Sequence, residues 1–330
     1  MRRRVQLALG SLAIALALAV GVVADYRPRH WRTPGAVAVA GPESALLRAD
    51  VEAFPPFRSR SHPEAIRAME ALVTQRLEAA GWTVTPQEVR RDANPHRRQP
   101  TDAPLTHNLL ATRGAAGGVR PVLFGAHIDS VSVSPGGDDN GSAVAVLIDL
   151  ARRLPPEAAA RVELCFFNEE EDGLLGSYTF VGSLSPAERA QIQRVFVLDM
   201  VGHYDSTPHS QRYPPPLSWL APDRGDFLSA IALTDADAAV AGLREARASV
   251  AAGLPMEMFE PPRAMARRLP DLWRSDHGPF WEAHIPAVFL TDTANFRSKR
   301  YHTAADVPEV LDYAKVALVA DMLAAVAAER

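Results

Sequence analysis

The sequence predicts an α/β fold in which a mainly parallel, mixed sheet is sandwiched between helices in three αβα layers. Three observations predict it: strand-like apolar runs alternate with helical periodicity, several of those runs are apolar throughout, and 47% of the 330 residues are hydrophobic. Strands without a polar face are typical of parallel sheets that are covered on both sides. The composition is that of a globular protein with a large core.

The first 24 residues differ from the rest of the chain. Arg2, Arg3 and Arg4 precede an uncharged apolar run, Val5–Ala24. A basic start followed by an apolar segment is typical of an export signal, and the small residues before Asp25 suit cleavage. The run is also just long enough to anchor the protein in a bilayer. We therefore expect an exported protein, periplasmic or secreted, with residues 1–24 either cleaved or kept as a membrane anchor.

The next stretch, residues 25–42, is rich in proline and arginine and lacks periodicity, which predicts a linker. We expect residues 43–330 to form a single domain. The net charge of −4 offers no basic surface for nucleic acid. Cys165 is the single cysteine, so the chain has no intramolecular disulfide, and its apolar neighbours predict a buried side chain.

Helices and strands alternate along this domain. Apolar residues at helical spacing predict a helix over Pro63–Ala80, which Gly81 ends. Further helices are predicted over Ser142–Leu154 and in the segments LLGSYTFVGSL and EVLDYAKVALVADMLAAVAA. The predicted strands are WTVTPQEV, HNLLAT, RPVLFGAH, VELCFFN, RVFVLDM and IPAVFLTDT.

Two proline-rich stretches interrupt this alternation, His203–Asp226 and Gly253–Trp273. We expect both to be long surface loops, and such loops often carry function. The hypothesis is that they wall a cleft and set its side-chain preference.

Carboxylates and imidazoles follow the predicted strands. His127 ends one strand, Asp139 lies in the next loop, Glu169–Glu171 follow another strand, Asp199 follows a third, and His302 comes after the last. Each signal alone is weak, because histidines and acidic residues are often structural or solvated. Ligands of open α/β sheets, however, bind beyond the carboxyl ends of the strands. We therefore expect these side chains to meet.

Such a set matches the needs of a pair of metal ions. Imidazole nitrogen and carboxylate oxygen bind hard and borderline cations. Two divalent cations about 3.5–4 Å apart share a bridging carboxylate and take further ligands each. Together these residues supply one bridge and two ligands per cation, with Glu170 left free as a base. Divalent cations also explain why three consecutive glutamates tolerate one another, so the sequence predicts a two-metal hydrolase.

The ordered motifs GAHIDS, DDNGS, EEDGLLGS, LDMVG and YHTAAD closely resemble metallopeptidase family 28, the di-zinc aminopeptidases of the aminopeptidase Y type. The resemblance extends from about Leu46 to the C-terminus, and SDHGPFW near Asp276 is similar too. It implies that residues 43–330 are one zinc peptidase catalytic domain with a phosphorylase/hydrolase-like fold and two Zn²⁺ ions. It also implies a cis peptide bond between Asp139 and Asn140, and a peptide substrate with a free N-terminus.

The resemblance further implies a role for each metal ligand. Asp139 would bridge the ions, His127 and Asp199 would bind one of them, and Glu171 and His302 would bind the other. Cobalt or manganese in place of zinc stays open.

Other roles come from the same resemblance. Glu170 would be the general base that takes a proton from the attacking water and returns it to the leaving amine. Tyr301 would stabilise the oxyanion together with a metal ion. Asp129 would accept the second N–H of His127 and orient its ring. Glu169 would be a bystander.

Several alternatives stay open. Glutaminyl cyclases share this architecture with a single zinc, and some relatives have become receptors or scaffolds. Carboxypeptidase action is a third alternative. Asp276 and His277 either line the cleft or hold a loop in place. The sequence does not indicate an oligomeric state.

Overall fold

The computed structural model describes residues 29–31, 41–97, 105–114, 120–213 and 221–329. The predicted export segment and most of the predicted linker lie outside these ranges. None of the helices within these ranges is long and apolar enough to cross a membrane.

A nine-stranded mixed sheet forms the centre of the described chain. In spatial order its strands are β1 (Arg29–Trp31), β8 (Met256–Phe259), β7 (Leu228–Ala232), β9 (Ala287–Thr291), β6 (Arg194–Leu198), β4 (Val122–His127), β5 (Val162–Phe167), β3 (His107–Thr112) and β2 (Thr83–Glu88). Strands β9, β6, β4 and β5 run parallel in the middle of the sheet. Most pairings outside this centre are antiparallel, β7 with β8 being parallel. The predicted α/β fold with a mixed sheet is confirmed.

Helices cover both faces of the sheet. They are α1 (Pro42–Ala53), α2 (Pro63–Ala79), α3 (Ala143–Arg153), α4 (Pro156–Ala159), α5 (Leu175–Ser183), α6 (Pro186–Gln191), α7 (Asp237–Val250), α8 (Arg263–Ala266), α9 (His277–Glu282) and α10 (Tyr313–Ala328). Gly81 follows α2 with a φ of +82°, a conformation that glycine adopts without strain. The helix that the sequence predicts over Pro63–Ala80 therefore ends where expected.

Alternate residues of the central strands face two separate cores. On β4, Phe124 packs in a core that α1, α2, α3, α7 and α10 cover. Its neighbour Leu123 packs in a second core, together with Phe180 of α5 and Trp281 of α9. Cys165 is completely buried in this second core, as the sequence predicts. The result is the predicted arrangement of three αβα layers.

The β7–β8 side of the sheet differs from the prediction. Gly253–Trp273, predicted as a surface loop, contains β8, α8 and a turn of 3₁₀ helix at Pro270–Trp273. The sequence also does not predict β7, α7 or the short strand Arg29–Trp31, which pairs with β8 inside the range assigned to a linker. Ser229 in β7 and Glu257 in β8 line a cavity, so both strands lack the continuous apolar run typical of a buried strand.

Candidate active site

Two groups of metal-ligand side chains lie at the carboxyl edge of the central strands. One group is His127, Asp139 and Asp199, and the other is Asp139, Glu171 and His302. Within each group, one ligand atom of every residue lies within 4.8 Å of the others. The structure thus brings together all five side chains of the predicted metal site, in the predicted pairs and with Asp139 shared.

Asp139 presents one carboxylate oxygen to each group. Nε2 of His127 lies 3.3 Å from Asp139 Oδ1 and 3.5 Å from Asp199 Oδ1. Nε2 of His302 lies 3.3 Å from Asp139 Oδ2 and 3.1 Å from Glu171 Oε2. An aspartate that faces two imidazoles with different oxygens has the orientation that a bridging ligand needs.

The residue after Asp139 connects it to Asp199. The peptide bond between Asp139 and Asn140 is cis, as the family resemblance implies. Asn140 Nδ2 donates to the carbonyl of Leu198 at 2.9 Å, and Asn140 Oδ1 accepts from the N–H of Met200 at 3.1 Å. These two backbone groups flank Asp199. Asn140, which the sequence analysis names only for the expected cis bond, therefore fixes the spacing between two ligand loops.

Buried side chains from distant parts of the chain hold the loop around Asp139. The Asp306 carboxylate accepts two backbone N–H groups of this turn, at 2.8 and 3.1 Å. The side chain of Arg58 is 1% exposed and donates to the carbonyls of Ile128 at 2.7 Å and Gly136 at 2.9 Å. Neither Asp306 nor Arg58 is predicted from sequence as a supporting residue, because only the fold brings them to the ligands.

Asp129 lies directly behind the ligands. Its carboxylate accepts the backbone N–H groups of Glu170 and Glu171, both at 3.1 Å. Nδ1 of His127 is 3.2 Å from the backbone oxygen of Asp129 and 3.5 Å from its carboxylate. The backbone oxygen is therefore the closer acceptor for the imidazole, and the carboxylate mainly fixes the two glutamates.

Glu169 is more than the bystander that the resemblance implies. Its side chain is completely buried and forms ion pairs with Arg60, at 2.6 Å, and with Arg91. The hydroxyl of Thr106 donates to its other oxygen at 2.5 Å. Glu169 thus anchors the start of the loop that carries Glu170.

The neighbouring carboxylates have no such partners. Among the ion pairs of the described residues, none joins Asp139, Glu170, Glu171 or Asp199 to a lysine or an arginine. Within the same part of the chain, three buried ligand atoms lack a hydrogen-bond partner: His127 Nε2, His302 Nε2 and Glu171 Oε1. Buried polar atoms are rarely left unpaired, and two divalent cations would satisfy these atoms and offset the negative charge.

The pKa values of these groups also reflect the uncompensated negative charge. Burial raises the pKa of Glu171 to about 7, and the charge of Asp139 adds to the effect. Burial also raises the pKa of Glu170 well above its usual range. Burial alone would lower the pKa of His302, but Asp139 and Glu171 outweigh it and raise that pKa to about 10. Without cations, the site therefore retains protons.

A cavity of about 350 Å³ opens beside the two groups. Asp139, Glu170, Glu171 and Asp199 lie in its lining, as does Tyr301. The rest of the lining is mostly apolar and includes Phe227, Ile231, Met258, Phe259, Leu272, Phe289 and Phe296. The cavity therefore combines an acidic end with a hydrophobic body.

Both predicted loops contribute to this lining. Tyr213 and Pro222 come from His203–Asp226, and Leu269 comes from Gly253–Trp273. The hypothesis that these stretches wall the cleft agrees with the structure, although the second contains regular elements.

Asp276 and His277 have no exposed surface and are not among the residues that line the cavity. Nε2 of His277 is 2.7 Å from the carbonyl of Leu272, and its ring stacks on Phe289 at 4.2 Å. For His277, the structure favours the alternative in which it holds a loop in place, whereas the two carboxylate oxygens of Asp276 have no hydrogen-bond partner among the described residues.

The fold and the site together indicate a metal-binding enzyme: an αβα protein with two groups of candidate ligands that share a carboxylate beside an apolar cavity. Comparison with known proteins gives the family. The sequence profile of peptidase family M28 matches residues 108–327, which is more than half of the chain. The chain belongs to peptidase family M28 and is a metallopeptidase.

Similar curated proteins agree with this membership. The chain is 34% identical over 262 residues to the uncharacterised protein YfbL of Escherichia coli K12, and the match covers 74% of each chain. It is 36% identical over 101 residues to an aminopeptidase of Pseudomonas aeruginosa, a match of 29% of this chain and 18% of that protein. A match of that extent does not carry the relative's activity to this chain.

Solved structures show the same fold. The LapA aminopeptidase of Legionella pneumophila gives a TM-score of 0.58 at 17% identity and covers 88% of this chain and 71% of its own. A glutaminyl cyclase of Porphyromonas gingivalis gives a TM-score of 0.55 at 18% identity, and the match covers 85% of this chain and 94% of the cyclase. BSAP, a zinc aminopeptidase from Bacillus subtilis, gives a TM-score of 0.50 at 25% identity, and the match covers 68% of this chain and 50% of BSAP. The fold alone does not separate hydrolysis from cyclisation.

Proposed function

We propose that this chain is an aminopeptidase that uses two zinc ions to remove N-terminal residues from peptides. The observation that carries the proposal is the pair of three-ligand groups that share Asp139 at the acidic end of an apolar cavity. The similarity to aminopeptidases, one of them named a zinc enzyme, supports it.

The residues present fit zinc. Imidazole nitrogens and carboxylate oxygens are its usual donors in catalytic sites. The unpartnered atoms of His127, His302 and Glu171 are of these types. When bound, the ions supply Lewis acidity and a water that ionises near neutral pH.

The protein itself supplies the proton transfer. Glu170 is 8% exposed and lines the cavity, and burial raises its pKa well above the usual range. A raised pKa makes this carboxylate a stronger base, and the carboxyl group that it forms can return the proton to the leaving amine. Tyr301, in the same lining, donates a hydrogen bond from its hydroxyl to the developing oxyanion.

The cavity accounts for substrate binding. Its acidic end attracts the ammonium group of a free peptide N-terminus. Its apolar body accepts the side chain of the first residue, and aliphatic or aromatic side chains suit the phenylalanines of the lining. We therefore expect N-terminal leucine, methionine and phenylalanine to be preferred over lysine or arginine.

A panel of aminoacyl anilides tests this function. The purified protein, reconstituted with zinc, should release aniline from leucyl and phenylalanyl substrates, and a chelator should stop the reaction. N-acetylated versions of the same substrates are the matched controls and should not be cleaved. Equal cleavage of acetylated and free substrates would overturn the aminopeptidase assignment.

Glutaminyl cyclisation is the second candidate, because the Porphyromonas cyclase has a fold as similar as that of the aminopeptidases. Mass spectrometry of a peptide with N-terminal glutamine separates the two reactions. Hydrolysis removes the whole residue, whereas cyclisation removes only ammonia. The shared Asp139 favours the two-metal site and therefore hydrolysis.

We also propose that the protein is exported. The support is the basic and then apolar sequence of residues 1–24. N-terminal sequencing of the protein from the periplasm, the medium and the membrane fraction tests it. A mature chain that starts at Asp25 indicates cleavage, an intact chain in the membrane indicates an anchor, and an intact chain in the cytoplasm contradicts export.

A further inference from the structure

The lining of the cavity contains one cationic side chain among its described residues, that of Arg274, against several carboxylates. Arg274 follows the 3₁₀ turn Pro270–Trp273 and precedes the buried Ser275 and Asp276. The indole of Trp273 donates to the carbonyl of Ala266 at 2.8 Å. The backbone on both sides of Arg274 is therefore anchored, while its side chain, 46% exposed, reaches the cavity.

The guanidinium of Arg274 contacts Tyr301 directly. Its Nη2 donates to the Tyr301 hydroxyl at 3.1 Å, and its Cζ lies 5.9 Å from the centre of the tyrosine ring. Nη1 lies 3.2 Å from the amide oxygen of Asn295 and 3.4 Å from Asp271. Asn295 and Asp271 thus fix the guanidinium from the side away from Tyr301.

Tyr301 is fixed in turn by the neighbouring ligand residue. Its ring stacks on that of His302, with the centroids 3.7 Å apart and the planes 20° apart. The phenol therefore has a set position relative to His302, and the remaining freedom of Tyr301 is the direction of its O–H bond.

The contact with Arg274 removes that freedom. A guanidinium has only donors, so the phenol oxygen must act as the acceptor in this hydrogen bond. The hydroxyl hydrogen then points away from Arg274. The positive charge beside the phenol oxygen also makes the O–H a stronger donor to an anion.

We propose that Arg274 is a positioning residue: it orients the hydroxyl of Tyr301 toward the scissile carbonyl and strengthens its hydrogen bond to the oxyanion. The inference rests on the proposed function and extends it to a residue outside the family motifs. The alternative is that Arg274 binds a substrate carboxylate itself, independently of Tyr301.

A double-mutant cycle separates these roles. On an aminoacyl anilide, which has no carboxylate, Arg274→Met should lower kcat by about 10- to 100-fold with KM nearly unchanged, and Tyr301→Phe should lower it by about 100-fold. If Arg274 acts through Tyr301, the double variant should be no slower than Tyr301→Phe. Arg274→Lys, which keeps a charged donor, should recover part of the rate.

Arg212→Met is the matched control. Arg212 donates to the carbonyl of the same Asn295 at 2.7 Å and is exposed, so its loss should change kcat less than about twofold. Losses that multiply in the double variant would overturn the proposal. So would an Arg274→Met effect confined to KM for dipeptides with a free C-terminus and absent for their amides.

A binding measurement keeps the inference apart from the proposed function. An aminoalkyl boronic acid mimics the tetrahedral oxyanion, and calorimetry gives its affinity without turnover. Arg274→Met should weaken this affinity in the wild-type background and leave it unchanged in the Tyr301→Phe background. If wild type cleaves no aminoacyl substrate, the proposed function fails. The role of Arg274 is overturned separately, if Arg274→Met weakens the affinity for the boronic acid equally in both backgrounds.

Discussion

Two acidic regions lie side by side in this protein and differ in how their charge is compensated. Glu169 is buried between Arg60 and Arg91. The next two residues, Glu170 and Glu171, are nearly as buried but have no arginine or lysine partner among the described residues. Among the described residues, arginines pair with the first region, whereas the second is faced only by the imidazoles of His127 and His302.

This difference identifies the metal site. A buried carboxylate is costly unless it is paired, protonated or bound to a metal. The charge of Glu169 is already compensated by arginines of the described fold. The negative charge at the acidic end of the cavity is compensated only by added cations or by retained protons. For this reason the pKa of Glu171 rises to about 7. The following predictions separate the two regions.

The largest effect is expected for Asp139→Asn. Because Asp139 faces both imidazoles, its loss removes a ligand from both groups at once, and activity should fall to that of the chelated protein. Metal analysis should give clearly fewer than two ions per chain. Asp92→Asn, at an exposed aspartate paired with Arg90, is the control and should keep full metal content.

The next largest effect is expected for Glu170→Gln. This change removes the general base but no ligand, so kcat should fall about 10²–10⁴-fold while the metal content stays the same. Because it also removes an unpaired buried carboxylate, the metal-free variant should be at least as stable as wild type. Near wild-type turnover would show that Glu170 is not the base.

Glu169→Gln should act on stability instead. It removes the carboxylate that both Arg60 and Arg91 contact, although Arg60 keeps its ion pair with Asp172 at 2.9 Å. Breaking a buried ion pair costs about 3–5 kcal/mol in the free energy of unfolding. Denaturant unfolding of the metal-free protein measures it. The fraction of the variant that stays folded should still bind metal. An unchanged free energy of unfolding would contradict the anchoring role of Glu169.

The smallest effect is a pH dependence of the metal-free protein. Glu171 has a folded-state pKa of about 7 against a usual 4.5, so it is the protonated form that folding favours. Its contribution is complete below about pH 4.5 and is lost as the pH rises through about 7.

In a chelator, the melting temperature should therefore be a few degrees lower at pH 8 than at pH 5.5. Glu171→Gln should flatten this part of the profile. Zinc should reverse the trend in wild type, because metal binding strengthens as the ligands lose protons. A chelated protein that melts at the same temperature at both pH values would contradict the raised pKa of Glu171.

The sequence predicts the central parallel strands and the meeting of the five ligand residues because both depend on local signals. Apolar runs mark β4, β5 and β6, and the chemistry follows each strand end directly. The geometry of a parallel sheet then brings those ends to one edge. The cis bond at Asp139–Asn140 is likewise expected, from the family motif.

The sequence does not predict features that depend on contacts between residues far apart in the chain. Glu169 looks solvated in a run of glutamates because its partners Arg60 and Arg91 lie 109 and 78 positions away. β7 and β8 are missed because Ser229 and Glu257 face the cavity and interrupt the apolar pattern. Both failures concern residues whose surroundings only the folded chain defines.

Two cations are expected to occupy the acidic end of the cavity, on either side of Asp139. A crystal structure of the zinc-loaded protein, with anomalous data at the zinc edge, tests it most directly. We expect two peaks about 3.5–4 Å apart, one beside His127 and Asp199 and the other beside Glu171 and His302. A single peak, or peaks away from Asp139, would contradict it.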